Sequence, residues 1–175
     1  MSGGGDDVEA AAAYHAIHQV LMRYCRGVDR GDVALLRPVY HEGAVDRHGR
    51  FDGPGAEFAE YIVSAMDAVG GVGQHHITNV LVELHGDAAD VESYFLAAHP
   101  VPGPDGQPVL TLTGGRYLDR FARRGGRWAI TERTVVFDWT RATIEGRPWA
   151  AAAAFPGGAR GDADPSAAFF ATRRT

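Results

Sequence analysis

The stretch QHHITNVLVEL, residues 74–84, sets the pattern for the second half of the chain. Apolar and β-branched residues dominate its later part and Gly86 follows it, which predicts a strand that ends in a turn. Successive side chains of a strand point to opposite faces, so His75 and His76 face opposite sides of the sheet. One of the two imidazoles therefore faces the interior, where it is a candidate general base near neutral pH.

Three more strands are predicted after this one. Residues 87–98 follow a tight turn and form a hairpin with the first strand. Residues 109–123 form the next strand, and Gly114 and Gly115 inside it predict a bulge or a sharp bend. Residues 127–139 form the last one, so this half of the chain is an antiparallel sheet.

Helical patterns dominate the first half of the chain. Apolar residues recur at helical spacing over residues 8–28 and 56–68, and a short helix is predicted over residues 33–40. Residues 44–48 form a short strand, and residues 49–55 a turn-rich connection. Because helices come first and antiparallel strands follow, we predict an α+β fold: N-terminal helices packed on a strongly curved, mainly antiparallel sheet that forms a cone-shaped barrel.

Length and composition indicate one ordinary globular domain over residues 1–175. The chain has 45% apolar and 22% charged residues, which is typical of soluble proteins. Residues 1–7 are predicted to be a flexible N-terminus. Residues from about 141 to 175 are rich in Ala, Gly and Pro and are predicted to be an irregular C-terminal extension.

Charge and cysteine content exclude several classes of function. The net charge is −5 and no basic run exists, so neither nucleic acid nor an anionic membrane is an expected partner. Cys25 is the only cysteine, which excludes an internal disulfide and a thiolate metal cluster. The histidines lack the spacing of a metal site, so no metal is expected. Without a signal peptide or a membrane span, a cytoplasmic location is expected.

Several segments resemble the SnoaL-like branch of the nuclear transport factor 2-like superfamily. They are GVDRGD at 27–32, YHEGAVD at 40–46, HHITN at 75–79, GRYLDRF at 115–121, GRWAITER at 126–133 and GARGDADPS at 158–166. The resemblance covers nearly the whole chain and implies the same cone-shaped fold. The superfamily includes dehydratases, dehydrohalogenases, isomerases, polyketide cyclases and binding modules, so the fold leaves the reaction open.

The resemblance implies a catalytic aspartate and histidine. Members similar to scytalone dehydratase and to dehydrochlorinases use an aspartate at the end of the first helix and a histidine that opens a central strand. These positions correspond here to Asp29 and His75, since the family histidine precedes the asparagine, here Asn79, by four residues. A second histidine at the end of the next strand corresponds to His99.

The sequence departs from the dehydratase pattern at two places. The resemblance implies a hydroxyl donor near Arg47 or His48, but no tyrosine stands there. Val28 occupies the place of the aromatic residue beside the dehydratase aspartate.

The chemistry of these residue types supports a proton transfer. A carboxylate at Asp29 that accepts the Nδ1 proton of His75 would fix the tautomer and raise the basicity of the other nitrogen. That nitrogen can then remove a proton from a carbon beside a carbonyl or a leaving group, and His99 can protonate a departing hydroxyl. This predicts a cofactor-independent lyase or isomerase, dehydratase-like, acting on an apolar cyclic or polyketide-like small molecule.

Other readings of the same residues stay open. Asp29 also suits a helix end or a turn, and a lone His75 also suits a hydrogen-bonded core position. A polyketide cyclase that performs aldol closure, and a non-catalytic small-molecule-binding module of the same fold, fit the pattern as well. So does a subunit similar to the small β subunit of ring-hydroxylating dioxygenases.

Side chains that face inward are expected to contact the substrate, namely Tyr24, His48, Phe51, Phe58, Phe95 and Tyr117. Charged residues on the strands, Arg116, Asp119, Arg120 and Arg133, are predicted to pair on the outer face of the sheet. That outer face is broad, and its burial predicts a homodimer or a homotrimer.

Overall fold

The computed structural model describes residues 3–103, 106, 108–143 and 159–171. The elements in chain order are α1 (Gly3–Arg30), α2 (Val33–Leu36), a 3-10 turn (Arg37–Val39), β1 (Tyr40–His48), β2 (Phe51–Pro54), α3 (Gly55–Val69), β3 (Gln74–His85), β4 (Ala88–Pro102), β5 (Pro108–Arg124), β6 (Arg127–Thr143), a second 3-10 turn (Gly161–Ala163) and α4 (Pro165–Ala171).

The six strands form one curled sheet in the order β2-β1-β6-β5-β4-β3. The β1–β6 pair is parallel, and the other pairs are antiparallel. Helices α1 and α3 pack on the inner face of the sheet, where Ile17, Leu21 and Phe58 are fully buried. The predicted α+β class, with N-terminal helices on a curved and mainly antiparallel sheet, is confirmed.

Three predicted boundaries in the first half are wrong. Helix α1 begins at Gly3, so the described residues of the N-terminus that was expected to be flexible, 3–7, are helical. Asp7 lies near the helix start, where the helix dipole favours a carboxylate. Helix α2 stops at Leu36 because Pro38 lacks the N–H that would continue it, and a 3-10 turn follows. The connection before α3 contains the short edge strand β2.

The predicted irregular extension is also wrong in its described parts. Strand β6 continues to Thr143, because it pairs with β5 as far as Leu110. Residues 165–171 form α4, and the backbone N–H of Ser166 donates to Asp164 at the helix start. Residues 144–158 and 172–175 lie outside the described residues.

The strand pairing is irregular at Gly114 and Gly115, where a bulge or a bend was predicted, but the bulged strand is β6 and not β5. Gly114 pairs with Trp139 but the adjacent Gly115 pairs with Phe137, so β6 carries one extra residue there. A Cβ on Gly115 would collide with the carbonyl oxygen of Val136 and would lie 2.7 Å from Cζ of Phe95. The strands approach so closely at this point that only glycine fits.

We expect G115A to lower the free energy of unfolding by about 1–3 kcal/mol, because the added methyl overpacks the bulge. Urea unfolding monitored by tryptophan fluorescence measures the change. An unchanged unfolding midpoint would show that the two strands separate at the bulge without cost.

Candidate active site

Two acid–base side chains, Asp29 and His75, meet where helix α1 ends and strand β3 begins. The Nδ1 atom of His75 lies 2.6 Å from Oδ1 of Asp29, and the backbone N–H of His75 donates to Oδ2 of the same carboxylate at 2.9 Å. Asp29 is only 6% exposed. A carboxylate facing Nδ1 selects the tautomer with the proton on that nitrogen, which leaves Nε2 as the proton acceptor.

Local sequence explains why these two residues meet. Helix α1 ends at Arg30, and Gly31 follows with a φ of +68°, which turns the chain away directly after Asp29. Gly73 precedes β3, and a Cβ there would lie 3.4 Å from Oδ1 of Asp29. The absence of a side chain at Gly73 therefore keeps the space above the carboxylate open.

His99, which the family resemblance identified as a second histidine of the site, lies beside this pair. Its ring is nearly parallel to that of His75, with 6.3 Å between the ring centroids. Its Nδ1 atom is buried and has no hydrogen-bond partner among the described residues. Burial, and then the neighbouring His75 imidazole, lowers the pKa of His99, while the Asp29 carboxylate opposes this shift. This shift favours the neutral form of His99.

We expect His99 to titrate below the ordinary histidine pKa of about 6.5. As the pH falls, His99 of the unfolded chain is protonated at a higher pH than His99 of the folded protein. The free energy of unfolding therefore has the full contribution of neutral His99 above about pH 6.5 and loses it as the pH falls further. Imidazole NMR titration measures the shift, and H99N provides the assignment. Titration of His99 at or above the ordinary value would contradict the packing described here.

A third imidazole, His48, lies within electrostatic reach of His99. Its ring stacks on Phe58 with 4.6 Å between centroids, and its side chain is 20% exposed. Its Nδ1 atom lies 3.5 Å from Oδ1 of Asp46, and neither of these two atoms has a hydrogen-bond partner among the described residues. The other oxygen of Asp46 accepts a 2.5 Å hydrogen bond from the Tyr40 hydroxyl. Asp46 and His48 thus form a second carboxylate–imidazole contact, at the end of β1.

The aromatic residues expected to contact a substrate divide into two groups. Tyr24, Phe58, Phe95 and Tyr117 are 0–3% exposed and pack against one another, with 4.5 Å between the Phe95 and Tyr117 centroids. All four belong to the buried core of the described residues. Phe51 and His48 are partly accessible at the edge of this core.

A buried ion pair lies in the same core, contrary to the prediction that Asp119 and Arg133 pair on the outer face. Nε and Nη2 of Arg133 each lie 2.7 Å from a carboxylate oxygen of Asp119, and both side chains are fully buried. The guanidinium carbon lies 4.1 Å from the ring centroids of Tyr24 and of Tyr117. Burial opposes the charge, but Asp119 outweighs it and raises the pKa of Arg133, which stays a cation.

The sequence contains a signal for this pair that the prediction missed. Asp119 stands two residues from Tyr117 and from Phe121, and all three side chains share one face of β5. Both aromatic neighbours are buried, so the carboxylate between them faces inward as well. Arg116 and Arg120 lie on the other face and pair there with Glu92, Asp138, Asp90 and Glu132, as predicted.

Two hollows in the described surface lie away from the histidines. One of about 400 Å³ is on the outer face of the sheet and is lined partly by Leu81, Glu92 and Leu118. Another of about 520 Å³ lies beside the start of α1, next to Glu9 and Trp128. Within the described residues, no cluster of three or more His, Cys, Asp or Glu side chains is arranged to hold a metal ion. Of the described helices, none has the length and apolar character to cross a membrane.

The model of the SnoaL-like domain family matches residues 9–134 of the chain. Solved structures share its fold. A hexachlorocyclohexane dehydrochlorinase, LinA type 2, is 19% identical, with 81% of this chain and 97% of that chain covered and a TM-score of 0.72. A putative scytalone dehydratase from Novosphingobium aromaticivorans is also 19% identical, with 80% and 97% covered and a TM-score of 0.67.

A putative aromatic ring hydroxylase from Novosphingobium aromaticivorans is 25% identical, with 73% of this chain and 91% of that chain covered and a TM-score of 0.63. The comparison with curated proteins found no match. These likenesses at low identity concern the fold, and the reaction has to be argued from the residues of this chain.

Proposed function

The chain belongs to the SnoaL-like domain family, and from this premise together with the contact between Asp29 and His75 we propose that it is a cofactor-independent lyase or isomerase of the dehydratase type. The observation that carries the proposal is the carboxylate that binds Nδ1 of a partly accessible imidazole. An imidazole held in this way presents Nε2 as a base. The names of the structural neighbours, a dehydrochlorinase and a putative scytalone dehydratase, agree with such chemistry.

In the proposed reaction, Nε2 of His75 removes a proton from a carbon next to a carbonyl group. The electron pair of the broken C–H bond forms a carbon–carbon double bond, and a hydroxyl group on the adjacent carbon leaves with its bonding electrons. The proton held by His75 passes to that hydroxyl, and water is released. If the proton returns to another carbon instead, the outcome is an isomerisation. The Asp29 carboxylate stabilises the imidazolium between these steps.

His99 acts in this scheme as an uncharged hydrogen-bond donor. In the proposed scheme the single proton of the neutral ring is on Nε2, and Nδ1, which is buried without a partner among the described residues, carries none. A neutral N–H there can donate a hydrogen bond to the departing oxygen without competing for the proton on His75. The lowered pKa of His99 favours that state.

The substrate class follows from the accessible side chains near the histidines. His48 offers a polar contact and Phe51 an aromatic one, and both are partly exposed next to the closed aromatic core. A small cyclic or polyketide-like ketone with a hydroxyl group fits this combination of an apolar surface and a few polar groups.

The test is a panel of small cyclic ketones and β-hydroxyketones in D₂O, each followed by proton NMR with and without the protein. We expect the protein to accelerate loss of the signal of the proton next to the carbonyl, and for hydroxyketones to release water and form the unsaturated ketone. A panel in which no compound exchanges faster than with His75→Gln protein would reject the proposal.

A non-catalytic binding module is the second candidate, because four of the side chains expected to contact a substrate, Tyr24, Phe58, Phe95 and Tyr117, are buried and pack against one another. The same panel separates the two functions. A binding module would show ligand-induced changes in the NMR spectrum of the protein without proton exchange in the ligand.

A further inference from the structure

The C-terminal segment Ala159–Ser166 lies against the ends of α1 and α3, beside the catalytic pair of the proposed function. Nη1 of Arg160 donates to the carbonyl oxygen of Val28 at 2.9 Å, and Nη2 donates to that of Val63 at 3.3 Å. Its Nε lies 2.5 Å from the carboxylate of Asp67. One side chain of the segment thus ties the last turn of α1 to the last turns of α3.

Arg30 links this segment directly to the backbone that carries the catalytic pair. Its Nε lies 3.3 Å from Oδ2 of Asp164. Its Nη1 donates to the carbonyl oxygens of Asp29 at 3.3 Å and of Gly73 at 3.4 Å. Asp29 carries the carboxylate of the pair, and Gly73 precedes His75 by two residues. A single guanidinium therefore contacts the backbone at Asp29 and the backbone two residues before His75, and Asp164 pairs with the same guanidinium.

Hydrogen bonds within the segment fix the Asp164 carboxylate that pairs with Arg30. Its side chain is 7% exposed and accepts hydrogen bonds from the backbone N–H groups of Ala159 and Ser166, each at 3.0 Å. These hydrogen bonds, with that of the Ser166 hydroxyl, lower its pKa to about 2. Asp164 is therefore a carboxylate near neutral pH, and its Oδ2 lies within ion-pair distance of the Arg30 guanidinium.

We propose that the segment Ala159–Ser166 is a positioning element for the Asp29–His75 pair, acting through Asp164 and Arg30. Helix ends fray, and Asp29 stands in the last turn of α1, so its carboxylate needs an external restraint to stay within hydrogen-bond distance of His75. The segment supplies that restraint. The inference rests on the proposed function only for its consequence in catalysis, because the positioning itself is a property of the free protein.

Native-state hydrogen exchange of the His75 backbone amide tests the proposal, because this amide donates to Oδ2 of Asp29 and reports whether the pair is closed. We expect D164N to accelerate exchange of this amide at least about fivefold, since the local opening becomes easier, while the amide of Phe121 in the sheet centre stays unchanged. The matched control is D87N, which removes the Asp87 carboxylate 2.6 Å from Nε of Arg123 at the β3–β4 turn, away from the pair.

An unchanged His75 amide in D164N would overturn the proposal. So would acceleration of the His75 and Phe121 amides by the same factor, because that result describes a general loss of stability. Should D164N fail to fold, R30K gives the same measurement, since lysine keeps the charge but cannot bridge Asp164 and both carbonyls. Exchange is measured without substrate and so does not depend on the proposed reaction. If D164N accelerates exchange of the His75 amide but the His75→Gln protein keeps its full activity, the proposed function is rejected and the positioning element is kept.

Discussion

His75→Gln is expected to lower the rate of proton abstraction by about 10³-fold or more, since general base catalysis by one positioned group contributes about 10²–10⁴-fold. Glutamine approximates the size of the imidazole but has no nitrogen that accepts a proton near neutral pH. D29N is expected to give a loss of similar size, because an amide can donate to Nδ1 and so select the tautomer with the proton on Nε2. The measurement is the initial rate of α-proton loss in D₂O on whichever panel ketone the wild type exchanges fastest.

His76→Gln is the matched control for this loss. His76 follows His75 directly, but its side chain is exposed on the other face of β3. We expect this variant to keep the wild-type rate and the wild-type circular dichroism spectrum. A His75→Gln or D29N protein that folds and keeps the full rate would remove the pair from the reaction.

D119N is expected to lower the free energy of unfolding by about 3–5 kcal/mol, because it removes one partner of a fully buried ion pair and leaves the other uncompensated. Solvent cannot compensate the charge of Arg133, because its side chain is 0% exposed. Its Nη1 has no hydrogen-bond partner among the described residues even in the wild type. Urea unfolding at pH 7, monitored by tryptophan fluorescence, measures the loss.

Two controls separate this effect from an ordinary ion pair. D138N removes the carboxylate that pairs with Arg116 on the exposed outer face, and there we expect only a small change because water screens the pair. The double variant D119L/R133M replaces both buried charges with apolar side chains and should recover most of the stability lost in D119N. If D119N unfolds at the wild-type midpoint, the Arg133 charge is not buried as described.

The contact between Asp29 and His75 shows how much of the candidate site local sequence can predict. The end of α1 at Asp29 and the start of β3 near His75 are local features, predicted by a helical period that stops at glycine and by a β-branched stretch. The 2.6 Å contact between the two is not local, because 46 residues separate them and the contact depends on where α1 crosses the sheet. The family resemblance supplied that pairing, and the structure places the atoms within reach.

The ion pair in the core shows where the same reasoning failed. Alternation along β5 assigns Asp119 to the same face as Tyr117 and Phe121, which favours the inner face. Its charge favours the outer face, and the prediction followed the charge. The structure resolves the conflict because β5 and β6 pair in a register that sets Asp119 directly opposite Arg133, where two tyrosine rings enclose the guanidinium. A buried charge becomes acceptable only when its partner is already in place.

The sequence by itself determined the α+β class, the long helices, the four long strands and the irregular pairing at Gly114 and Gly115, because periodicity, turns and close strand approach act over a few residues. Only the tertiary structure decided that Tyr24, Phe58, Phe95 and Tyr117 are buried together and that Asp119 and Arg133 lie among them. It also decided that Ala159–Ser166 reaches Arg30 beside Asp29 and His75. Each of these depends on contacts between distant parts of the chain, and their geometry exists only once the sheet has curled around the helices.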